Sequence, residues 1–98
     1  MNHIYGTWSV LTGLEKLGCG ASDTRVCRGA DWLEAHQNPD GGFGESPGSY
    51  EEPETRGQGP SSVSQTAWAL MGLVAAGRGE SQTARRAVDH LVAKQFTD

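Results

Sequence analysis

Trp8, Trp32 and Trp68 are the side chains whose chemistry stands out first. An indole face attracts positive charge through its quadrupole, so several around one cavity would hold a cation. Trp68 stands in an all-apolar stretch and reads as packing. Trp32 lies in an amphipathic one, and neither it nor Trp8 is assigned a catalytic role. His3, His36 and His90 fall in different segments, with no His-x-x-x-His or Cys-x-x-Cys spacing, so no metal site is expected. Acidic residues crowd between Asp40 and Glu54 without the alternating carboxylates of a calcium loop. There is no Gly-x-x-x-x-Gly-Lys, so a phosphate loop has no support.

The elements that would position these side chains read as helices. Residues 4–18 are mostly apolar, a buried helix stopped at Gly18. Ser22, Asp23 or Thr24 can cap the next segment, residues 25–37. There Val26, Ala30, Leu33 and Gln37 share a stripe, with Arg25, Arg28, Asp31 and Glu34 off it. Residues 38–61 hold all four prolines of the chain and the turn run Asn38-Pro39-Asp40-Gly41-Gly42, which excludes regular structure. A loop this long is functional or packed on a neighbour. Ser62-Val63-Ser64-Gln65 has the form of a capping box. Residues 65–76 follow as a second buried helix, ended by Gly77 and Gly79. Residues 81–95 return to an amphipathic pattern, with Ala84, Ala87, Val88 and Leu91 facing one way and Arg85, Arg86 and Asp89 another.

Composition fits this picture. The chain has 98 residues, 14 glycines and a net charge of −4. It lacks a basic patch for a phosphate backbone, so nucleic acid is not an expected partner; Arg85-Arg86 reads as a solvated face. Cys19 and Cys27 do not form a disulfide framework, and Cys27 reads as a small buried hydrophobe. No signal peptide is visible, and no apolar run approaches the ~20 residues a membrane helix needs.

The halves repeat. Thr7, Leu11, Gly13 and Leu14 recur as Thr66, Leu70, Gly72 and Leu73. Arg28, Leu33, Ala35 and Gln37 recur as Arg86, Leu91, Ala93 and Gln95, at an offset one residue shorter. Helical-pair repeats bury their apolar faces on neighbouring pairs, and about three are needed for stability. Two leave open edges. The fold expected is all-α: part of an α/α ring of helical hairpins, with fully apolar inner helices, amphipathic outer ones and a long Gly/Pro-rich loop. Repeat one spans about 4–43, the loop 44–61 and repeat two about 62–98.

Arg28-Gly29, Leu33, Gln37, Gly41 and Phe43 resemble the QW motif of triterpene cyclases, and Arg86-Ala87, Leu91 and Gln95 the start of a second copy. The segment from Gln37 through the long loop to Gly77, with Tyr5-Gly6-Thr7, is similar to the C-terminal part of bacterial squalene–hopene cyclases. Phe43 stands where the motif usually has Trp, and the second copy stops after Gln95. The resemblance implies an α/α toroid that cyclises squalene or a related polyprenyl lipid through carbocations, without metal or organic cofactor. An Asp-x-Asp-Asp motif supplies the proton in that family, and none occurs here. The chain is therefore expected to be a partial C-terminal domain, inactive alone, with the remainder of a cyclase chain as partner. Tyr5 matches a tyrosine near the catalytic acid. Gln37 matches a glutamine that caps a neighbouring helix while stacking on the motif aromatic. Arg28, Leu33, Gly41, Phe43, Arg86, Leu91 and Gln95 are structural motif positions. The implied location is cytoplasmic or peripheral on the cytoplasmic face of the membrane, where the family sits. The alternative is a non-catalytic α/α-repeat module binding lipid or protein through its open edge. A prenyltransferase β-subunit, a third reading, would require zinc ligands that are not arranged here.

Overall fold

The computed structural model describes residues 2–46 and 58–97. Four helices follow one another: α1 His3–Lys16, α2 Thr24–Ala35, α3 Val63–Ala75 and α4 Gln82–Thr97. Among the described residues there is no strand, only an isolated antiparallel bridge between Phe43 and Ser62. Glu51, Glu52 and Glu54, most of the loop at 44–61 and the last residue lie outside the described residues.

Local chemistry sets most helix ends. The Asn2 side chain accepts from Tyr5 N to start α1, and the Asp23 side chain accepts from Arg25 N to start α2. Both inner helices stop in the same way. Gly18 (φ 85°) and Gly77 (φ 80°) take the left-handed conformation. The following amides then reach back, Cys19 N to Leu14 O at 3.0 Å and Arg78 N to Leu73 O at 2.8 Å. That pattern satisfies carbonyls left over at a helix end. The capping box at α3 forms only in half: Ser62 Oγ accepts from Gln65 N, while Ser62 N donates to Phe43 O. Helix α2 stops at Ala35, short of the expected residue 37. His36 Nδ1 lies 2.6 Å from Trp32 O, and Asn38 precedes a proline, which disfavours helical backbone.

Helix α1 packs most extensively on α3, with α2 outside α1 and α4 outside α3. Gly72 permits the close approach of α1 and α3: a Cβ there would sit 3.4 Å from Trp8 Cα and 3.0 Å from Leu33 Cδ1. The core is small and aliphatic apart from Phe43, combining Ile4, Leu11, Leu14, Val26, Leu33 and Leu73 with alanines of α2, α3 and α4.

Three expectations change. The apolar helices α1 and α3 are covered on part of their circumference, leaving Tyr5, Val10, Met71 and Val74 exposed. Two hairpins leave α1 packed mainly on α3 and α2, and α3 mainly on α1 and α4, too few neighbours to surround either. On α4, His90 is buried and Val88 exposed, because the turn at Asp40 covers the former. Cys27 is only half-buried, its thiol donating to Ala21 O at 3.1 Å, and both cysteines are free. No helix among the described residues is long and apolar enough to cross a membrane.

Candidate functional site

Helix α1 presents Tyr5 and Trp8 one turn apart, and α3 brings Trp68 against them. The two indoles lie parallel, 3° between planes and 6.5 Å between centroids. The Tyr5 ring stands nearly perpendicular to both, its centroid 5.3 Å from Trp8 and 5.1 Å from Trp68. Each perpendicular pair is worth about 0.5–1.5 kcal/mol beyond area burial. Tyr5 is 46% exposed, so one side of this group is open. Trp32 does not join it: on α2 it stacks on His36, 4.1 Å between centroids. An open pocket of about 470 Å³ lies between α1 and α2, lined by Gly6, Thr7, Val10 and Trp32 but not by Tyr5.

The motif residues divide into three sets. Leu33 and Phe43 are fully buried in the core. Gln37, Gly41 and Arg86 meet at the outer surface. The Gln37 amide nitrogen donates to Gly41 O at 2.9 Å and to Thr83 O in the first turn of α4 at 2.8 Å. Its oxygen accepts from Arg86 Nη1 at 3.1 Å, and Arg86 Nη2 donates to Pro39 O at 2.6 Å. Gly41 (φ 89°) lies so close that a Cβ would stand 2.7 Å from Arg86 O. The glutamine thus reaches the next helix through a carbonyl, not through the unsatisfied amides at its start. Arg28 and Gln95 are exposed, and Leu91 is half-buried.

Other polar links brace the same turn. Asp40 Oδ1 accepts from Gly42 N at 2.9 Å and Ser61 Oγ at 2.8 Å, which together hold its carboxyl below the usual range. His90 Nδ1 lies 3.2 Å from Asp40 O, an acceptor only, so the proton belongs on Nδ1; its buried Nε2 has no partner among the described residues. Arg78 joins Asp31 at 2.7 Å and Glu34 at 3.2 Å, tying the α3–α4 turn to α2 and raising the guanidinium above its ordinary value.

Glu45 is the polar residue that sequence reasoning missed. Its side chain is 1% exposed, pairs with His3 Nδ1 and accepts from His3 N at 2.6 Å and Ile4 N at 3.1 Å. A carboxylate at the positive end of α1 is favoured by the helix dipole. Gln65 holds the Glu45 backbone, its Oε1 accepting from Glu45 N at 3.0 Å. Nothing near Glu45 in sequence signals this, since its partners belong to α1. Gly44-Glu45-Ser46-Pro47-Gly48 also has the spacing of a hydrolase nucleophile elbow, which needs a strand-to-helix turn. Residues 44–46 are instead irregular backbone, with Ser46 N donating to Gln58 O; Pro47 and Gly48 lie outside the described residues. Among the described residues no three His, Cys, Asp or Glu side chains gather as a metal site.

Known proteins share this whole stretch. The family model for the squalene-hopene cyclase C-terminal domain matches residues 1–98. A squalene–hopene cyclase of Bradyrhizobium diazoefficiens is 46% identical over 97% of this chain and 14% of its own length. Another, of Alicyclobacillus acidocaldarius, is 49% identical over 100% of this chain and 16% of its own length. Human lanosterol synthase is 36% identical over 94% of this chain and 13% of its own. The chain therefore spans about one-seventh of the curated relatives it matches. The family model covers the full length of the chain, and the chain belongs to the squalene–hopene cyclase C-terminal domain family.

Proposed function

We propose that this chain supplies two consecutive hairpins of the α/α ring of a squalene–hopene-type cyclase and acts only as part of such a ring. The observation that carries this reading is a difference between matched residues of the two repeats. Gly72 of the second receives α1 at van der Waals distance, whereas its counterpart Gly13 has nothing from the described residues within 4 Å of its Cβ position. An earlier inner helix fits at Gly13 as α1 fits at Gly72. The outer surface supports the same reading. Gln37 of the first repeat binds Arg86 of the second, while Arg28 and Gln95, the matched positions facing outward from the pair, are exposed.

In this reading α1 and α3 turn their uncovered apolar sides to the ring interior. The substrate class is a linear polyene such as squalene, protonated at a terminal alkene by an acid elsewhere in the cyclase and closed through carbocations. Tyr5, half exposed there, offers a phenol to the hydrogen-bond network of that acid and a ring face to the cation. Gln37, Arg86, Gly41 and Phe43 brace one hairpin on the next. Neither metal nor organic cofactor enters the scheme.

Incubation with squalene tests it. The 98-residue chain yields no cyclised product, and the complete cyclase chain carrying this sequence yields a polycyclic triterpene. Turnover by the short chain would overturn the claim that it acts only within a ring.

A further inference from the structure

The aromatic group on α1 and α3 contains more than the tyrosine that the family resemblance singles out. Two parallel indoles each contact the Tyr5 ring edge to face, one from its own helix and one from α3. A tyrosine on the first turn of a helix, 46% exposed, would otherwise exchange among side-chain rotamers. Perpendicular contacts with two indoles, which lie at an acute angle to one another seen from the Tyr5 ring, restrict that freedom, because rotation toward either one drives the ring edge into an indole. Trp8 is anchored where the α1 backbone touches Gly72, and Trp68 neighbours the fully buried Ala69. The two indoles therefore sit on the most closely packed part of the helix pair, while the ring they hold reaches outward.

We propose that Trp8 and Trp68 are positioning residues that act through Tyr5, fixing the plane of its ring and the direction of its phenol toward the reacting polyene. This rests on the reading above, in which Tyr5 faces the ring interior. A reacting group displaced by about 1 Å can lose up to about a hundredfold in rate. The indoles thus affect turnover without touching the substrate.

The test uses the complete cyclase chain carrying this sequence, with squalene as substrate. Trp8→Met and Trp68→Met keep a flexible apolar side chain without a flat face; Trp8→Phe and Trp68→Phe keep one. The methionine variants lower kcat about tenfold or more with KM unchanged, and the phenylalanine variants stay within about threefold of the parent. In a Tyr5→Phe background the methionine changes cost little more, since coupled residues are not additive. Unchanged kcat in both methionine variants, an unaffected Tyr5→Phe variant, or losses that multiply fully with that of Tyr5→Phe would each overturn the proposal. If a methionine variant loses its helical dichroism, the phenylalanine pair decides: a fall as large as that of Tyr5→Phe refutes positioning by ring faces. Absence of cyclised product from the unmodified chain defeats the functional reading itself, and is distinguishable because it appears before any substitution is made.

Discussion

Asp23 shows how one side chain can carry both a local and an electrostatic task. Its carboxylate accepts from Arg25 N at 2.8 Å and pairs with the Arg25 guanidinium at 2.9 and 3.1 Å. The guanidinium hydrogen bonds, then the backbone amide, bring its pKa from 3.8 to about 2. A carboxyl depressed in the folded state contributes stability that is fully present above the unfolded value. That contribution fades as pH falls through the folded one. The window is from about 4 down to about 2. Asn also caps a helix but does not titrate. Asp23→Asn should therefore leave the dichroism near neutral pH almost unchanged and flatten its decline across that acid window. An acid titration of the variant that superimposes on the parent would refute this assignment. Asp40, held low by Gly42 N and Ser61 Oγ, keeps part of the acid response in either protein. Asp23 was readable from sequence as one of three candidate caps with Ser22 and Thr24, because a cap's partner is two or three residues away. Glu45 was not, since its carboxylate is stabilised by a helix that begins far earlier in the chain.

Helices α1 and α3 end at glycines that the pattern of apolar residues already marked, because a left-handed terminus is a local demand. Gly44 obeys a different constraint. It lies beside the Phe43–Ser62 bridge, where a Cβ would stand 1.7 Å from Pro60 O and 2.5 Å from Pro60 C. Both are backbone atoms between Gly59 O, which accepts from Asn38 Nδ2, and Ser62 N, which donates to Phe43 O, so they cannot withdraw cheaply. Gly29 on α2 meets only the far end of Leu11, with Cδ2 2.9 Å away. Gly44→Ala should destabilise the chain by about 3 kcal/mol, at the upper end of overpacking costs. Gly29→Ala should stay within about 1 kcal/mol, since alanine improves helix propensity while Leu11 adjusts. Urea unfolding of the two variants checks the order, and a Gly44→Ala midpoint equal to the parent's would show that the bridge is not rigid. The half-formed capping box belongs here too. Ser62 caps α3 as the motif suggests, but Gln65 Oε1 accepts from Ser62 Oγ and Glu45 N instead of Ser62 N, which the fold turns to Phe43 O.

The four helices form a slab 38 × 33 × 18 Å, about two helix diameters deep. One consequence is apolar surface that a closed domain would cover. Val10 on α1, Met71 and Val74 on α3, and Val88 and Val92 on α4 are all exposed. Exposed apolar patches of this kind drive association. Light scattering of the isolated chain should give a mass rising with concentration above the 10.4 kDa of one copy. Val10→Glu combined with Val74→Glu should hold it nearer that value. A monodisperse monomer at every concentration, without lipid, would mean that these faces do not seek a neighbour.

Approximate helix positions, the glycine stops of α1 and α3, the cap at Ser62, a cap among Ser22, Asp23 and Thr24, and the repeat of motif residues were legible in the order of amino acids. Each depends on neighbours within a turn or two of chain, or on a periodicity that survives without coordinates. The contacts of Tyr5 with Trp8 and Trp68, the burial of the Glu45 side chain and of His90, the exposure of Val88 and the pairing of Gln37 with Arg86 were decided only by the tertiary structure. Those outcomes turn on which helix faces lie opposite one another, a matter of packing that no local pattern encodes.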